Sequence, residues 1–408
     1  MKAHASKLAA AVVIGAVSIL FTSCFYMPGV SGANARAGLV LPRYIAANTT
    51  SLALIVGGPG MNTIYATYPV GTTSATLSVP SGAARTFTLL ANTPSVTFQG
   101  VSTVDLQPGA TTEVTLNPTL FATQILVPDY LNSRLVQISD MTGTGWTTLT
   151  NVAAPISPVA VDIDTQGRVY MANYNSPAII RMDDISGANS IGLSSLTTIT
   201  PTYTRALAMD RTHGLLYYTD SSSLWRIQVT PTLGTEEVIN LGSAGVFLSS
   251  VKGIAVDSDG FVYIANHYTG PEILKINPNP AASPSVVASY SDSSTLVYPY
   301  DILVSGDNVY VSDVAASAPK IVRLSKNLAF VDSFSGPGSD PFLGPERFVA
   351  VLNKKITVVD QPHDQYGNQL STNARLVSFG DMTGAGWTPY GSFGTGQSQF
   401  EFYNGYMY

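Results

Sequence analysis

From residue 158 onward, short runs of β-branched and aromatic residues alternate with turns rich in Gly, Asn and Asp, and the same order of runs keeps returning. PVAVDIDTQGRVYMAN from Pro158, RALAMDRTHGLLYYTD from Arg205, KGIAVDSDGFVYIAN from Lys252, YDILVSGDNVYVSD from Tyr300 and RFVAVLNKKITVVD from Arg347 each read as strand, turn, strand. A third apolar run follows each after a short loop: AIIRM at 178, SLWRI at 223, EILKI at 272, KIVRL at 320 and ARLVS at 374. A fourth stretch usually comes next. The predicted unit is therefore four antiparallel strands.

An acidic or amide residue closes the second strand of every unit. It falls at Asp129, Asn173, Asp220, Asn266, Asp313 and Asp360, at intervals of 44 to 47 residues. Four strands per period of this length predict the blades of a β-propeller, and six markers predict six blades. The first blade lacks an opening strand: ILVPDYLNSRLVQI, 125 to 138, holds only its second and third. At the far end QFEFY, from 399, reads as the opening strand of one more blade, so the C-terminal strand is expected to complete blade one and leave no open sheet edge. YMY, after Asn404 and Gly405, is then expected to be a tail. The near-identical DMTGTGW (140 to 146) and DMTGAGW (381 to 387) fall in equivalent loops of blades one and six, with a worn copy, DDISGANS, at 183 to 190. In each, Asp140 or Asp381 is expected to brace a tight turn, with Trp146 or Trp387 anchoring the fourth strand on the neighbouring blade.

GIAVDSDGFVYIANHYTGPEILKI, 253 to 276, and its copies resemble NHL repeats, the blades of six-bladed propellers in bacterial surface and periplasmic proteins. DMTGxGW followed by GSFGTGQSQF is similar to a connector of bacterial NHL-repeat proteins. The resemblance spans roughly 121 to 408 and implies fold better than function.

Upstream, residues 38 to 118 alternate apolar and polar positions in SLALIVG, SATLSVP, RTFTLLA, TVDLQP and TEVTLNP between Gly and Pro turns, which predicts a half-buried β-sandwich. VPSGAARTFTLLA and FQGVSTVDLQPGATTEVTL resemble small transthyretin-like or Ig-like modules. The fold expected is all-β, a six-bladed propeller preceded by a small sandwich, with residues 25 to 37 as a linker by composition.

Lys2 and Lys7 precede an apolar run from Leu8 to Leu20, about 13 residues, too short for a bilayer span and suited to a signal peptide. FTSC then brings Cys24, the single cysteine, to the place of the lipidated residue in the bacterial lipobox it resembles; Phe21 departs from the usual Leu there. Residues 1 to 23 are thus expected to be a lipoprotein signal peptide, and the mature chain to be held in the cell envelope by Cys24. One cysteine excludes an internal disulfide. A net charge of −6 with no Lys/Arg cluster argues against nucleic acid as a partner.

The six markers are expected to ring one face of the propeller, structurally, as caps of their loops, or as groups for a cation or sugar hydroxyls. The aromatic and polar residues beside them differ between blades. Tyr130, Tyr174, His267, Tyr268, and His363, Asp364 and Tyr366 of the enlarged sixth loop are therefore the candidate ligand-binding residues. For catalysis the chain is poor. His4 lies in the signal peptide and His213 in a turn of the opposite face, which leaves His267 and His363 where a catalytic zinc normally takes three protein ligands. Propeller lyases rely on His-rich centres and gluconolactonase-like propellers on a carboxylate-rich metal centre with a Glu, whereas here Glu236, Glu237, Glu272, Glu346 and Glu401 all miss the markers. No GxSxG elbow or phosphate loop is present. The expectation is a monomeric, non-catalytic binding or scaffold protein for an envelope protein or carbohydrate, without cofactor or metal. The alternative is a metal-dependent lyase or lactonase using His267, His363 and ring carboxylates.

Overall fold

The computed structural model describes residues 32–39 and 49–402, apart from 93–95, 151, 153–155, 202, 221, 231, 250, 267–269, 353–354, 365–369 and 371. Two sheets form the N-terminal sandwich. One has the order Ser74–Pro80, Gly32–Leu39, Thr111–Leu116; the other runs Ile64–Tyr68, Ser51–Gly57, Gly82–Asn92, Val96–Leu106, Thr119–Thr123. The period of two sorts side chains between core and surface. Leu52, Leu54 and Val56 are buried with Phe87, Leu89, Phe98, Val114 and Leu116, while Ser51 points to solvent. Gly32–Leu39 departs from the linker expected over 25 to 37. Its small residues have linker composition, but it lies in the middle of its sheet, antiparallel to Ser74–Pro80 and parallel to Thr111–Leu116. Pairing of main-chain groups does not depend on side-chain bulk, which is why composition missed it.

Gln124 alone separates the last strand of the sandwich from Ile125–Asp129, the first described strand of the propeller. Six sheets follow. Blade one has three described strands, Ile125–Asp129, Arg134–Ile138 and Thr147–Leu149, and blades two to six have four each, every blade a consecutive meander. The opening strands of blades two to six, Pro158–Ile163, Ala206–Asp210, Gly253–Val256, Pro299–Ser305 and Pro345–Leu352, lie side by side around the centre. Ile125–Asp129 touches those of blades two and six, so the circle of sheets is continuous. Apolar faces of adjacent blades form the core: Tyr170 and Ala172 pack with Leu216 and Tyr218, and Tyr263 with Val309 and Val311.

The repeated loops share one geometry. Asp140 Oδ1 accepts from the main chain of Thr142 at 2.9 Å and its hydroxyl at 2.6 Å; Asp381 Oδ1 accepts the same pair from Thr383 at 2.8 and 2.6 Å. Gly143 and Gly384 both have φ of 79°. A β-carbon on Gly143 would stand 1.9 Å from the Tyr390 hydroxyl of blade six, and one on Gly384 2.7 Å from Phe334 of blade five. Each glycine thus admits an aromatic ring of the preceding blade. Trp387 Nε1 donates to Asp340 at 2.8 Å and the ring lies 4.9 Å from Phe342, while Trp146 lies 5.5 Å from Phe400. In the worn copy Asp184 accepts from Ser186 at 2.7 Å, and Asn189, with φ of 50°, replaces the second glycine.

The far end of the chain returns to blade one, with one difference from expectation. Gln399–Phe400 pairs in parallel with Ser392–Phe393 and with no strand of blade one among the described residues. The segment 394–401 instead occupies the place of the loop that leads into a blade. Arg134 donates to the carbonyls of Thr395, Gly396 and Gln399, as Arg375 in blade six donates to Asp340 and to the carbonyl of Pro341. Among the described residues, 399–402 therefore form no opening strand for blade one, where QFEFY was expected to supply it. Residues 403–408, including the expected tail, lie outside the described residues.

Candidate functional site

Five of the six markers are buried, and their polar atoms are spent inside the fold. Asn173 Oδ1 accepts from the main chain of Ser157 at 2.5 Å, and Asn266 Oδ1 from Ser249 at 3.0 Å. Asp313 accepts from Val297 and Tyr298, and Asp360 from Leu343 and Gly344, at 2.8 to 2.9 Å. Asp129 accepts from Glu401 at 2.8 Å. Each therefore fastens the segment that leads into the blade's opening strand, rather than only its own loop. Asp220 is the exception: it is half-buried and accepts from Ser222 and Ser223 of its own loop. Burial raises the carboxyls of Asp129, Asp313 and Asp360 above the ordinary range against the pull of these hydrogen bonds.

Inside the ring of markers the blades leave a narrow throat. Pro128, Tyr130, Pro158, Val159, Tyr174, Arg205, Lys252, Tyr300, Glu346, Arg347, Val359 and Phe402 line it, around a volume of about 20 Å³. Tyr130 meets Tyr174 edge-on at 5.9 Å, and Tyr174 lies 5.7 Å from Tyr203. Arg205 sits over both Tyr174 and Tyr203, 5.6 Å from each ring centre. Opposite, the buried ring of Tyr300 carries Lys252 at 5.6 Å and Arg347 at 5.4 Å. Burial and the neighbouring Arg205 and Arg347 bring the Lys252 ammonium down to about 7, against Glu346. Burial and Glu346 push the Tyr300 phenol well above its ordinary value. Below the throat the channel opens to about 460 Å³, lined by the opening strands, with Asp162 and Asp301 among their side chains.

Of the candidates named from sequence, Tyr130 and Tyr174 come together at the throat, both half-buried. His363 is 4% exposed, with its ring edge-on to Tyr300 at 5.7 Å, so it supports the throat from behind; burial lowers its imidazole to about 4. Asp364 is half-buried beside it. Cys24, His267, Tyr268 and Tyr366 lie outside the described residues. His213 is on the opposite face, as expected, its Nδ1 2.7 Å from Asp210. Among the described residues no three His, Cys, Asp or Glu side chains are grouped to hold a metal ion. The cations were missed, although a signal existed: Arg205, Lys252, Tyr300 and Arg347 are the first residues of the repeats as they align, at intervals of 47 or 48.

No family model matches the chain, and no curated protein matches it. Solved structures do. The chain is similar to one in a nidogen/laminin complex, at 14% identity over 68% of this chain and 95% of that one, with a TM-score of 0.49. It is also similar to virginiamycin B lyase from Staphylococcus aureus, at 12% identity over 68% and 90%, TM-score 0.42. A third is a gluconolactonase from Xanthomonas campestris, at 14% identity over 64% and 79%, TM-score 0.41. At these identities the likeness is one of fold.

Proposed function

We propose that the protein is a non-catalytic binding protein of the cell envelope, lipid-anchored through Cys24, and that its marker face is the interaction surface for a protein or carbohydrate. One observation carries this reading. The polar atoms of the ring are occupied in bracing the blades, whereas Tyr130, Tyr174 and Arg205 meet, half-buried, at the mouth of the throat. Amphipathic rings around a small polar centre suit recognition. The metal-dependent alternative calls on His267, His363 and ring carboxylates, and His363 is buried against Tyr300 while the described ring carboxylates of Asp129, Asp313 and Asp360 are engaged in bracing the blades.

The test is to probe a glycan array and immobilised envelope fractions with wild type and with Tyr130→Ala and Tyr174→Ala. The reading expects a defined ligand whose binding falls at least about tenfold in both variants, as aromatic anchors dominate such interfaces. Equal binding by well-folded variants would move the functional surface elsewhere.

A further inference from the structure

We infer that the throat framed by Arg205, Lys252 and Arg347 is a carboxylate-binding site, so that the ligands of this face are organic acids taken carboxylate first. The inference rests on the reading of this face as the binding surface and names the chemistry it accepts.

The chain has 20 Lys and Arg against 26 Asp and Glu, yet three cations converge where the blades meet, beside a single lining carboxylate, Glu346. Several cations elsewhere are closed off by their neighbours, although the buried Nε of Arg181 in blade two also has no hydrogen-bond partner. Arg134 has Asp129 and three carbonyls, Arg375 has Asp360, Asp340 and a carbonyl, and Arg85 has the carbonyls of Pro80, Pro59 and Ser81. At the throat the compensation is thinner. Arg347 reaches the Lys252 carbonyl at 3.2 Å and stands 3.9 Å from Glu346, whose carboxylate is also engaged by the Tyr300 hydroxyl. Arg205 lies on two rings, and its Nε is buried with no hydrogen-bond partner. Besides Glu346, the buried Asp301 on the channel side acts on Arg347, so among the described residues three cations face two carboxyls; the excess positive charge is unfavourable, and a bound anion offsets it.

Size selects among anions. About 20 Å³ is little more than a water needs. A guanidinium fork takes a planar pair of oxygens, which a carboxylate presents with less bulk than the four oxygens of phosphate or sulfate. The rest of the ligand stays at the rim, against Tyr130 and Tyr174.

The experiment titrates the purified full chain calorimetrically at pH 6 and low salt with galacturonate and with N-acetylglycine, each beside its neutral counterpart, galactose and N-acetylglycinamide. An acid is expected to bind, its counterpart at least about tenfold more weakly, and Arg205→Gln and Lys252→Met to lose about tenfold or more, since charge-assisted hydrogen bonds are the strong ones. Binding of galacturonate alone points to sugar acids, and of N-acetylglycine alone to peptide carboxylates. The inference is overturned if neither acid outbinds its counterpart, if sulfate binds as well as the acids, or if folded variants keep wild-type affinity. Should the variants not fold, wild-type acid affinity unmoved by added salt overturns it equally. The two readings separate cleanly. If acids fail while Tyr130→Ala and Tyr174→Ala lose their array or envelope ligand, only the carboxylate inference falls. If acids bind through Arg205 while those variants keep their array or envelope ligand, only the role of Tyr130 and Tyr174 as anchors falls.

Discussion

The main-chain nitrogen of Glu401 donates to the carboxylate of Asp129 at 2.8 Å, across 272 residues of chain. Leu131 returns a bond to the Glu401 carbonyl at 3.0 Å, and Tyr174 and Val314 make the matching bonds to Ser157 and Tyr298 within their own blades. Blade one is thus held to Glu401 by bonds of the kind that hold blades two, four, five and six to their own lead-in segments.

Asp129→Ala should therefore be far costlier than Asp220→Ala. The first removes a buried carboxylate and leaves Arg134 and the Glu401 N–H without it, a loss of about 3 to 5 kcal/mol for a broken buried pair. The second removes a half-exposed loop cap, at about 1 kcal/mol. Equilibrium urea unfolding of both variants decides. Equal costs would mean that the Asp129 link does not hold the ring.

Gly143 and Gly384 make a second case, because their positive φ and the ring each admits act together. Gly143→Ala and Gly384→Ala are each expected to cost about 2 to 4 kcal/mol, from left-handed strain plus overpacking. Gly60→Ala, at φ 70° with nothing within 4 Å, should cost only about 1 kcal/mol. Adding Tyr390→Phe to Gly143→Ala should recover part of the loss, since it removes the oxygen nearest the new methyl group. Strictly additive losses in the double-mutant cycle would contradict the contact.

These cases show what could be read in advance. The blades were visible because a period near 47 repeats the alternation of apolar strands, and DMTGxGW because its Asp, Thr and Gly do the same local work twice. What the markers hold was not visible: Asn173 and Asp313 reach main-chain N–H groups 16 residues upstream, and a main-chain partner leaves no trace in residue identity. Arg205, Lys252 and Arg347 stand at the first positions of their repeats, where each residue alone marks only a boundary, because a site spread over several blades has no local motif.

The anchor assignment predicts that Cys24→Ser abolishes lipid labelling and moves the protein from the membrane to the soluble fraction of the envelope, because the run from Leu8 to Leu20 is too short to span a bilayer. Retention of the variant in membranes, with labelling lost, would contradict anchorage through Cys24.

Lys252 gives a prediction with a sign. Its ammonium is lowered to about 7 in the folded chain by burial and by Arg205 and Arg347, against an ordinary value of 10.5. Below about pH 7 both folded and unfolded chains hold the proton, and the full cost of keeping that charge in the throat weighs on the fold. Between about 7 and 10.5 the unfolded chain binds the extra proton, so this group's contribution to stability rises with pH. Lys252→Met removes the charge and with it that slope. The variant should melt above wild type at pH 6, and the gap should narrow steadily toward pH 9.5, as followed by thermal unfolding of both proteins in matched buffers. Taking the difference between the two cancels the titration of groups they share. An acid that binds the throat should favour the charged form, so saturating galacturonate should raise the wild-type melting temperature more at pH 6 than at pH 9. A pH-independent gap between wild type and Lys252→Met would mean that the ammonium is not held where Arg205, Arg347 and Tyr300 surround it.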